Sequence, residues 1–535
     1  MQGLPRPLTA ATALHHYKSA SIAASRILLR ASIPPYTKTM PASFHVEHFG
    51  CRAARADGEA IAESLRAAGC CTRQLAEADV VIVNTCSVTA EADRAARSFI
   101  RRARRRNPAA RILVTGCYAQ RAPQELAAIP GVSAVVGNSH KALAPEVALA
   151  LVQTESARPA HAAESAVTDS TLVPLHSLFA SSNHVSIFAD DAFAHSFLEE
   201  ARLVPGAQTR PNLKIQEGCS NRCSFCVIPQ TRGGSRSLPA ARILARVLQF
   251  VADGGQELVF SGINLGRWGR DLAPTPVLPR PSLASLVRLV LEQTSLPRLR
   301  LSSIEPMDWD ADLLAVLRDF SGDSRICAHA HLPLQSGSDS VLRRMHRRYR
   351  PWHYEQKAAD ILAAAGPDLT LGADVMAGFP GETDHEFDET LALIRRLPFG
   401  YLHLFPFSPR PGTRGWALHA ANPVPTAIVR ERMAALRQLS QEKCLAHRCR
   451  FLGRALPAIT LHTPPAVAAL SRAVARTSAL TANFLPVELD QTLPANRLVT
   501  VRITALNTSD LTLHASVSGP ISAAESRPSI ALAAC

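Results

Sequence analysis

Glu217-Gly218-Cys219-Ser220-Asn221-Arg222-Cys223-Ser224-Phe225-Cys226 sets three cysteines at C-x3-C-x2-C on one short loop. Leu213-Lys214-Ile215-Gln216 leads into that loop and reads as a strand. Three thiolates on a tight loop can hold three irons of a 4Fe–4S cluster, whereas a closed cluster takes four. The unclaimed iron is an open coordination position, the feature that separates a catalytic metal from a structural one. The competing reading is a zinc knuckle short of its fourth ligand. Zinc sites pair a C-x2-4-C with a second Cys/His pair at a regular distance, and none follows here. The redox cluster is the expectation.

Outward from the loop, Pro211 to Phe407 repeats a strand–helix rhythm. Predicted strands are Leu213–Gln216, Glu257–Ser261, Arg298–Ser302, Cys327–Pro333, Thr370–Met376 and Tyr401–Pro406, with helices such as Leu283–Glu292 and Glu382–Arg396 between them. Six such units predict an α/β domain whose parallel sheet rolls into a partial (β/α)6 barrel. Its reactive face lies at the carboxyl ends of the strands, and the cysteine loop follows the first of them. Ser261-Gly262-Ile263-Asn264, Ser302-Ser303-Ile304-Glu305-Pro306, Leu334-Gln335-Ser336-Gly337 and Ala377-Gly378-Phe379-Pro380-Gly381-Glu382 fall at other strand ends. Glycine there lets backbone approach a ligand closely, or simply makes turns.

Upstream, Phe44 to about Gly137 also alternates strand and helix. Phe44–Phe49 stops at Gly50-Cys51, a helix is predicted from Asp57 to Ala68, and Val80–Asn84 is a continuous apolar run, as in a parallel strand buried on both faces. That run ends at Cys86, and Arg111–Thr115 ends at Cys117. Cys51, Cys86 and Cys117 thus each follow the carboxyl end of a predicted strand, the edge where open α/β sheets bind ligands. Free cysteine is also a common core residue, but the shared placement favours a second metal-cluster site. Between them, Ala90–Arg106 reads as a helix with Ala92, Ala95, Phe99 and Ala103 at helical spacing and seven arginines on the other faces. That is either a solvated basic face or a field suited to a phosphate backbone.

The remainder sets the domain plan. Residues 1–43 carry no acid, with Lys18, Arg26, Arg30 and Lys38 among Ala, Ser and Leu. This composition suits a transit peptide or a start assigned upstream of Met40, and the segment is expected outside the fold. Residues 44–150 form the first domain, 151–208 a linker rich in Ala, Ser, His and Pro, and 209–450 the barrel domain, closed by a helix over Thr426–Arg448. Residues 451–518, with short apolar runs at Ile459–Leu461, Asn483–Val487 and Leu498–Ile503, predict a small β-barrel of the kind that binds RNA; residues 519–535 are an expected disordered tail. At 535 residues about three domains are expected. The net charge of +14 favours an anionic partner such as nucleic acid. Twelve clustered cysteines without a signal-peptide pattern indicate metal or redox chemistry in a reducing, cytoplasmic setting. No run of 18 apolar residues suggests a membrane span.

The Cys219 loop, with Pro229-Gln230-Thr231-Arg232-Gly233-Gly234-Ser235-Arg236-Ser237 after it, resembles the radical S-adenosylmethionine (SAM) enzymes. The three-cysteine first domain, barrel and β module together resemble the methylthiotransferases, over residues 44 to 515. Asn84-Thr85-Cys86-Ser87-Val88-Thr89 followed by Ala92-Asp93, Leu301–Pro306, and Phe405–Thr413 look most like the branch acting on threonylcarbamoyladenosine in tRNA. Ala54 departs from the family, which places Asn three residues after the first cysteine. The resemblance implies a TRAM-like carboxyl-terminal barrel and two 4Fe–4S clusters, one on Cys219, Cys223 and Cys226 and one on Cys51, Cys86 and Cys117. It further implies SAM bound at the open iron, with Ser261, Gly262, Asn264, Glu305, Gln335, Ser336 and Asp374 as candidate contacts. Reductive cleavage of SAM would then activate C2 of the adenine, the second cluster would supply a methylated sulfur, and a second SAM would give the methyl. Implied partners are the tRNA anticodon stem-loop, an external low-potential electron donor and a sulfur source. Within the family, isopentenyladenosine and a ribosomal-protein aspartate are the alternative substrates; outside it, a non-catalytic iron–sulfur RNA-binding protein fits the same residues.

Overall fold

The computed structural model describes residues 42–153, 185–193, 203, 210–320, 322, 324–462 and 477–520. The predicted extension up to residue 41, most of the predicted linker and the tail beyond residue 520 lie outside the described residues.

The first domain is a parallel sheet of β1 (Ser43–His48), β2 (Cys71–Thr72), β3 (Val80–Thr85), β4 (Arg111–Gly116), β5 (Val132–Gly137) and β6 (Ser186–Phe188), ordered β2-β1-β3-β4-β5-β6. Side chains alternate across a strand. Val80 and Ile82 therefore join one core with Ile61 and Leu65 of α1 (Arg52–Ala67), while Val81 and Val83 join another with Phe99 and Ile100 of α2 (Ala90–Arg106). Both faces are covered, which is why β3 reads as an unbroken apolar run.

Three sequence expectations shift here. α1 begins at Arg52, directly after Cys51, rather than at Asp57, because Ala53, Ala54 and Ala60 bury against the sheet from the first turn. In α2 the buried stripe is Ala96, Phe99, Ile100 and Ala103; Ala92 is half-buried and Ala95 exposed. Within the stretch read as linker, Ser186–Phe188 adds the sixth strand beside β5. The arginines of α2 from Arg101 onward, apart from the core residue between them, are exposed. Thr89 caps the helix by accepting from the Ala92 amide at 3.2 Å, and Arg104, Arg105 and Arg106 sit in the last turn, where the helix dipole favours cations.

The second domain carries six parallel strands, β7 (Asn212–Glu217), β9 (Glu257–Gly262), β10 (Arg298–Leu301), β11 (His329–His331), β12 (Thr370–Ala377) and β13 (Phe399–Pro406), with short antiparallel β8 (Arg236–Ser237) beside β7. They form two sheets, β10-β9-β7-β8 and β11-β12-β13. The predicted strand from Cys327 is correspondingly shorter: Leu299 exchanges backbone bonds with Arg325 (2.7 Å) and Cys327 (2.9 Å), and regular pairing resumes at His329 on β12.

A closed five-stranded barrel ends the chain, from β14 (Ala455–Thr460), β15 (Thr477–Thr481), β16 (Pro486–Leu489), β17 (Leu498–Leu506) and β18 (Leu513–Pro520), ordered β14-β15-β16-β18-β17. The strand expected over Asn483–Val487 starts later, at Pro486. Asn483 and Phe484 instead make the hairpin turn, with Phe484 at φ 68°, a left-handed conformation unusual for an aromatic residue. That turn docks on the second domain: the Arg300 guanidinium donates to the Thr481 and Ala482 carbonyls at 3.1 Å each, and the Phe484 ring stacks on His329 at 4.3 Å.

The helix Thr426–Cys449 packs on β13 and buries His447, whose Nε2 lies 2.8 Å from Thr370 Oγ1. Burial, aided by Arg450 and Arg448, lowers the His447 pKa to about 4. The folded pKa lies below the unfolded value, so the unfolded state binds more protons between the two, and stability falls as pH drops through that window. The loss reaches about 3 kcal/mol at 1.36 kcal/mol per unit. Thermal unfolding of wild type and His447→Gln across the window is expected to show a steeper acid loss in wild type; parallel curves would refute it.

Candidate active site

The loop between β7 and the helix Ile228–Arg232 holds Cys219, Cys223 and Cys226. It can fold tightly because Gly218 has φ +70° and a Cβ there would meet the Gly234 carbonyl oxygen at 2.0 Å; the Cys219 amide then donates to Gly233 O at 3.0 Å. The three cysteines line a cavity of about 540 Å³ at the carboxyl ends of the parallel strands, within the usual size range of ligand pockets. Desolvation, reinforced by Cys223, pushes the Cys226 thiol up to about 12. A metal binding there must displace that proton.

Donors already face the sulfurs. Asn221 N lies 3.4 Å and Asn264 Nδ2 3.6 Å from Cys219 Sγ, and Arg347 Nη1 lies 3.4 Å from Cys223 Sγ while its Nη2 pairs with Glu305 at 2.6 Å. Such donors suit the negative charge of thiolates holding a cluster. Among the described residues, Asn264 Oδ1, Ser302 Oγ and Gln335 Oε1 are buried without a hydrogen-bond partner, and all three residues line the cavity. Each orphan costs ~1–3 kcal/mol unless a ligand satisfies it. Gln335 also holds φ 63°, and strained backbone of this kind clusters at ligand clamps. The donor set and the orphaned acceptors fit a 4Fe–4S cluster with a polar ligand such as SAM beside it.

Of the seven candidate cofactor contacts, Ser261, Gly262, Asn264, Glu305, Gln335 and Asp374 line this cavity. Ser336 does not: it is buried behind the wall, its Oγ 3.1 Å from Thr390 Oγ1. Its neighbour Gln335, whose backbone is left-handed at φ 63°, lines the cavity in its place.

Cys51, Cys86 and Cys117 converge at the carboxyl edge of the first sheet. Gly50, at φ +112°, lets the Cys51 turn press against Cys86: a Cβ there would lie 2.7 Å from Cys86 Sγ. Burial, with Cys117 and Cys51 adding to it, pushes the Cys86 thiol up to about 12. Arg232 Nε lies 3.2 Å and Asn138 Nδ2 3.4 Å from Cys117 Sγ. Arg232 is fully buried, and its Nη2 and Asn138 Oδ1 have no partner among the described residues. A buried guanidinium aimed at a thiol fits an anionic group on these cysteines. Ala54, where the family pattern has Asn, is buried in α1, and its carbonyl accepts from the Asn84 side-chain amide. The position therefore still ties α1 to β3, through backbone. Cys51 also lines the cavity that holds the Cys219 loop.

Sequence reasoning passed over several cavity residues. His331 Nε2 and His403 Nδ1 lie 3.1 and 3.3 Å from Asp374 Oδ1, and Tyr401 Oη joins His331 (2.9 Å) to His329 (2.8 Å). Burial raises the Asp374 pKa, but the two histidine hydrogen bonds outweigh it and hold the carboxyl well below the usual carboxylate range. The signal was present as His329-x-His331 on β11 and Tyr401-x-His403 on β13, a period of two that sends both members of each pair to one face. Arg52 and Arg347, also lining the cavity, gave no signal beyond their charge. Two sequence stretches that carried the resemblance meet across the domains: Ala90 N donates to Ser408 Oγ at 3.0 Å, and Arg410 pairs with Asp93 at 2.7 Å.

The chain matches the uncharacterized protein family UPF0004 over residues 43–137 and the radical SAM superfamily over residues 213–394. Threonylcarbamoyladenosine tRNA methylthiotransferase MtaB of Thermotoga maritima is 31% identical over 416 residues, 76% of this chain and 84% of the relative. The chain belongs to the radical SAM methylthiotransferase family. Family relatives include MtaB of Bacillus subtilis, 35% identical over 404 residues (75% of this chain, 80% of the relative). The tRNA-2-methylthio-N(6)-dimethylallyladenosine synthase of Geobacter metallireducens is 30% identical over 413 residues (76% and 85%). Membership implies an enzyme that uses SAM and a 4Fe–4S cluster. Among the described residues, no helix is long and apolar enough to cross a membrane.

Proposed function

We propose that this methylthiotransferase converts N6-threonylcarbamoyladenosine beside the tRNA anticodon into its 2-methylthio derivative. The observation that carries the reading is the single cavity lined by Cys219, Cys223 and Cys226 on one side and Cys51 on the other. Cys219, Cys223 and Cys226 would hold the cluster that binds SAM, and Cys51, Cys86 and Cys117 would hold a second 4Fe–4S cluster. When bound, these groups supply homolytic C–H activation and sulfur delivery, chemistry that belongs to the cofactor. The chain's residues orient and shield. Asn264, Gln335 and Ser302 would meet SAM's polar groups, Arg347 is fixed by Glu305 against Cys223, and Arg232 and Asn138 steady Cys117. The adenine leaves the anticodon-loop stack to reach the cavity. α2 starts at its rim, where Thr89 lies, and its 17 residues carry the exposed arginines outward by about 25 Å. Those arginines and the carboxyl-terminal barrel hold the tRNA backbone. An external low-potential donor supplies electrons, and a separate source replaces the sulfur.

Relatives named for the threonylcarbamoyl and the dimethylallyl substituents match at similar identity, so the substituent is the point to test. Nucleoside mass spectrometry of tRNA from a deletion strain is expected to show threonylcarbamoyladenosine without its methylthio form. Loss of the methylthio-isopentenyl nucleoside instead would favour the second branch, and an unchanged profile would sink both.

A further inference from the structure

Arg52 follows Cys51 at the start of α1, and its exposed side chain lines the cavity. Among the described residues it makes no ion pair or hydrogen bond through its guanidinium. The group lies 5.9 Å from the Phe484 ring, which Arg300 approaches at 5.3 Å and which stacks on His329. Acids within reach of the cavity are engaged elsewhere. Glu257 is shared by Arg298 (2.8 Å), Arg300 (2.9 Å) and Arg210 (3.9 Å). Glu305 is held by Arg347, and Asp374 by His331 and His403. Among the described residues Arg52 is therefore a cavity-lining cation without an ion-pair partner, resting near the face of an aromatic ring. An unpaired charge in a chamber that a bound substrate will desolvate is costly unless that substrate brings the opposite charge.

Given the proposed reaction, on which this rests, the two family substituents differ in this respect: the threonylcarbamoyl group carries a carboxylate, and the isopentenyl group is a hydrocarbon. We infer that Arg52 is the specificity-determining residue that receives the substituent's carboxylate. The planar guanidinium can take both carboxylate oxygens. A hydrocarbon substituent would desolvate it and leave it unpaired, a penalty that rejects the wrong nucleoside.

The test uses cluster-reconstituted enzyme and three anticodon stem-loop RNAs, carrying threonylcarbamoyladenosine, its methyl ester, or isopentenyladenosine. Wild type is expected to prefer the acid over the ester by about 100-fold in kcat/KM, the scale of a lost charge-assisted pair in a site built for it. In Arg52→Gln the ratio falls to about one, and Arg52→Lys keeps part of it. An undiminished ratio in Arg52→Gln overturns the inference, as does a loss that comes with a raised KM for SAM, which would place the SAM carboxylate on Arg52. If Arg52→Gln turns over none of the RNAs, the acid-to-ester ratio of binding affinities, read by fluorescence anisotropy, decides in the same sense. Wild type that modifies the isopentenyl RNA and ignores the acid would refute the reaction assignment rather than the reading of Arg52 as a cation without a partner.

Discussion

Cys226→Ala is expected to lose all reductive SAM cleavage, and Cys86→Ala to keep it while forming no methylthio product. The asymmetry follows from where the two thiols sit. Cys226 lines the cavity with Cys219 and Cys223, and with only three ligands on that loop there is no spare thiol to hold the open-iron cluster. Cys86 is buried under Gly50, on the first sheet, next to Cys51 and Cys117. Its loss leaves Asn264, Gln335 and Arg347 around the other triad unaltered. Each variant should fall from about eight irons per chain to about four, and 5′-deoxyadenosine release with a chemical reductant then separates them. Cleavage surviving in Cys226→Ala would refute the open-iron assignment. Methylthio product surviving in Cys86→Ala, or full iron content there, would refute the second cluster.

What the sequence made legible here were features that repeat or that cluster. β3 and β4 of the first domain showed as apolar runs because helices cover both faces, and the cysteine triads stood after predicted strand ends. The C-x3-C-x2-C loop needed no tertiary information. Ser336 shares a motif with Gln335, but only packing shows that its hydroxyl sits on Thr390 while Gln335 lines the cavity. Arg52 and Asp57 were invisible for another reason. Their meaning depends on partners distant in sequence, 157 residues away for Asp57 and Lys214, and on whether a partner exists at all. The turn at Phe484 was read as strand because an apolar run gives no sign of a left-handed φ.

The largest stability effect is expected at Asp57. Its carboxylate accepts from Lys141 at 2.5 Å, from Arg232 at 3.1 Å and from Lys214, while Glu217 pairs with Arg232 at 2.7 Å and Lys214 at 2.5 Å. Asp57, Lys141, Glu217 and Arg232 are each at most 1% exposed. Burial alone would raise the Asp57 pKa, but the three cations outweigh it and hold the carboxyl below its ordinary value. The group spans the first domain (Asp57, Lys141) and the second (Lys214, Glu217, Arg232), so it fixes how one cysteine triad faces the other. As it stands, three cations meet two carboxylates, and the surplus faces Cys117 through Arg232. Asp57→Asn leaves three buried cations against Glu217 alone. Breaking a buried ion pair from one side costs ~3–5 kcal/mol, equivalent to roughly 3–5 °C in unfolding midpoint at the unfolding entropy of a chain this long. Burial already lowers the Lys141 pKa, so that lysine is expected to shed its proton first. Removing it as well should then relieve part of the damage: Asp57→Asn with Lys141→Met is expected to melt above Asp57→Asn alone, a coupling that contact pairs show and distant pairs do not. Midpoints that fall additively in the double variant would mean that the charge cluster is incidental to the docking of the two domains.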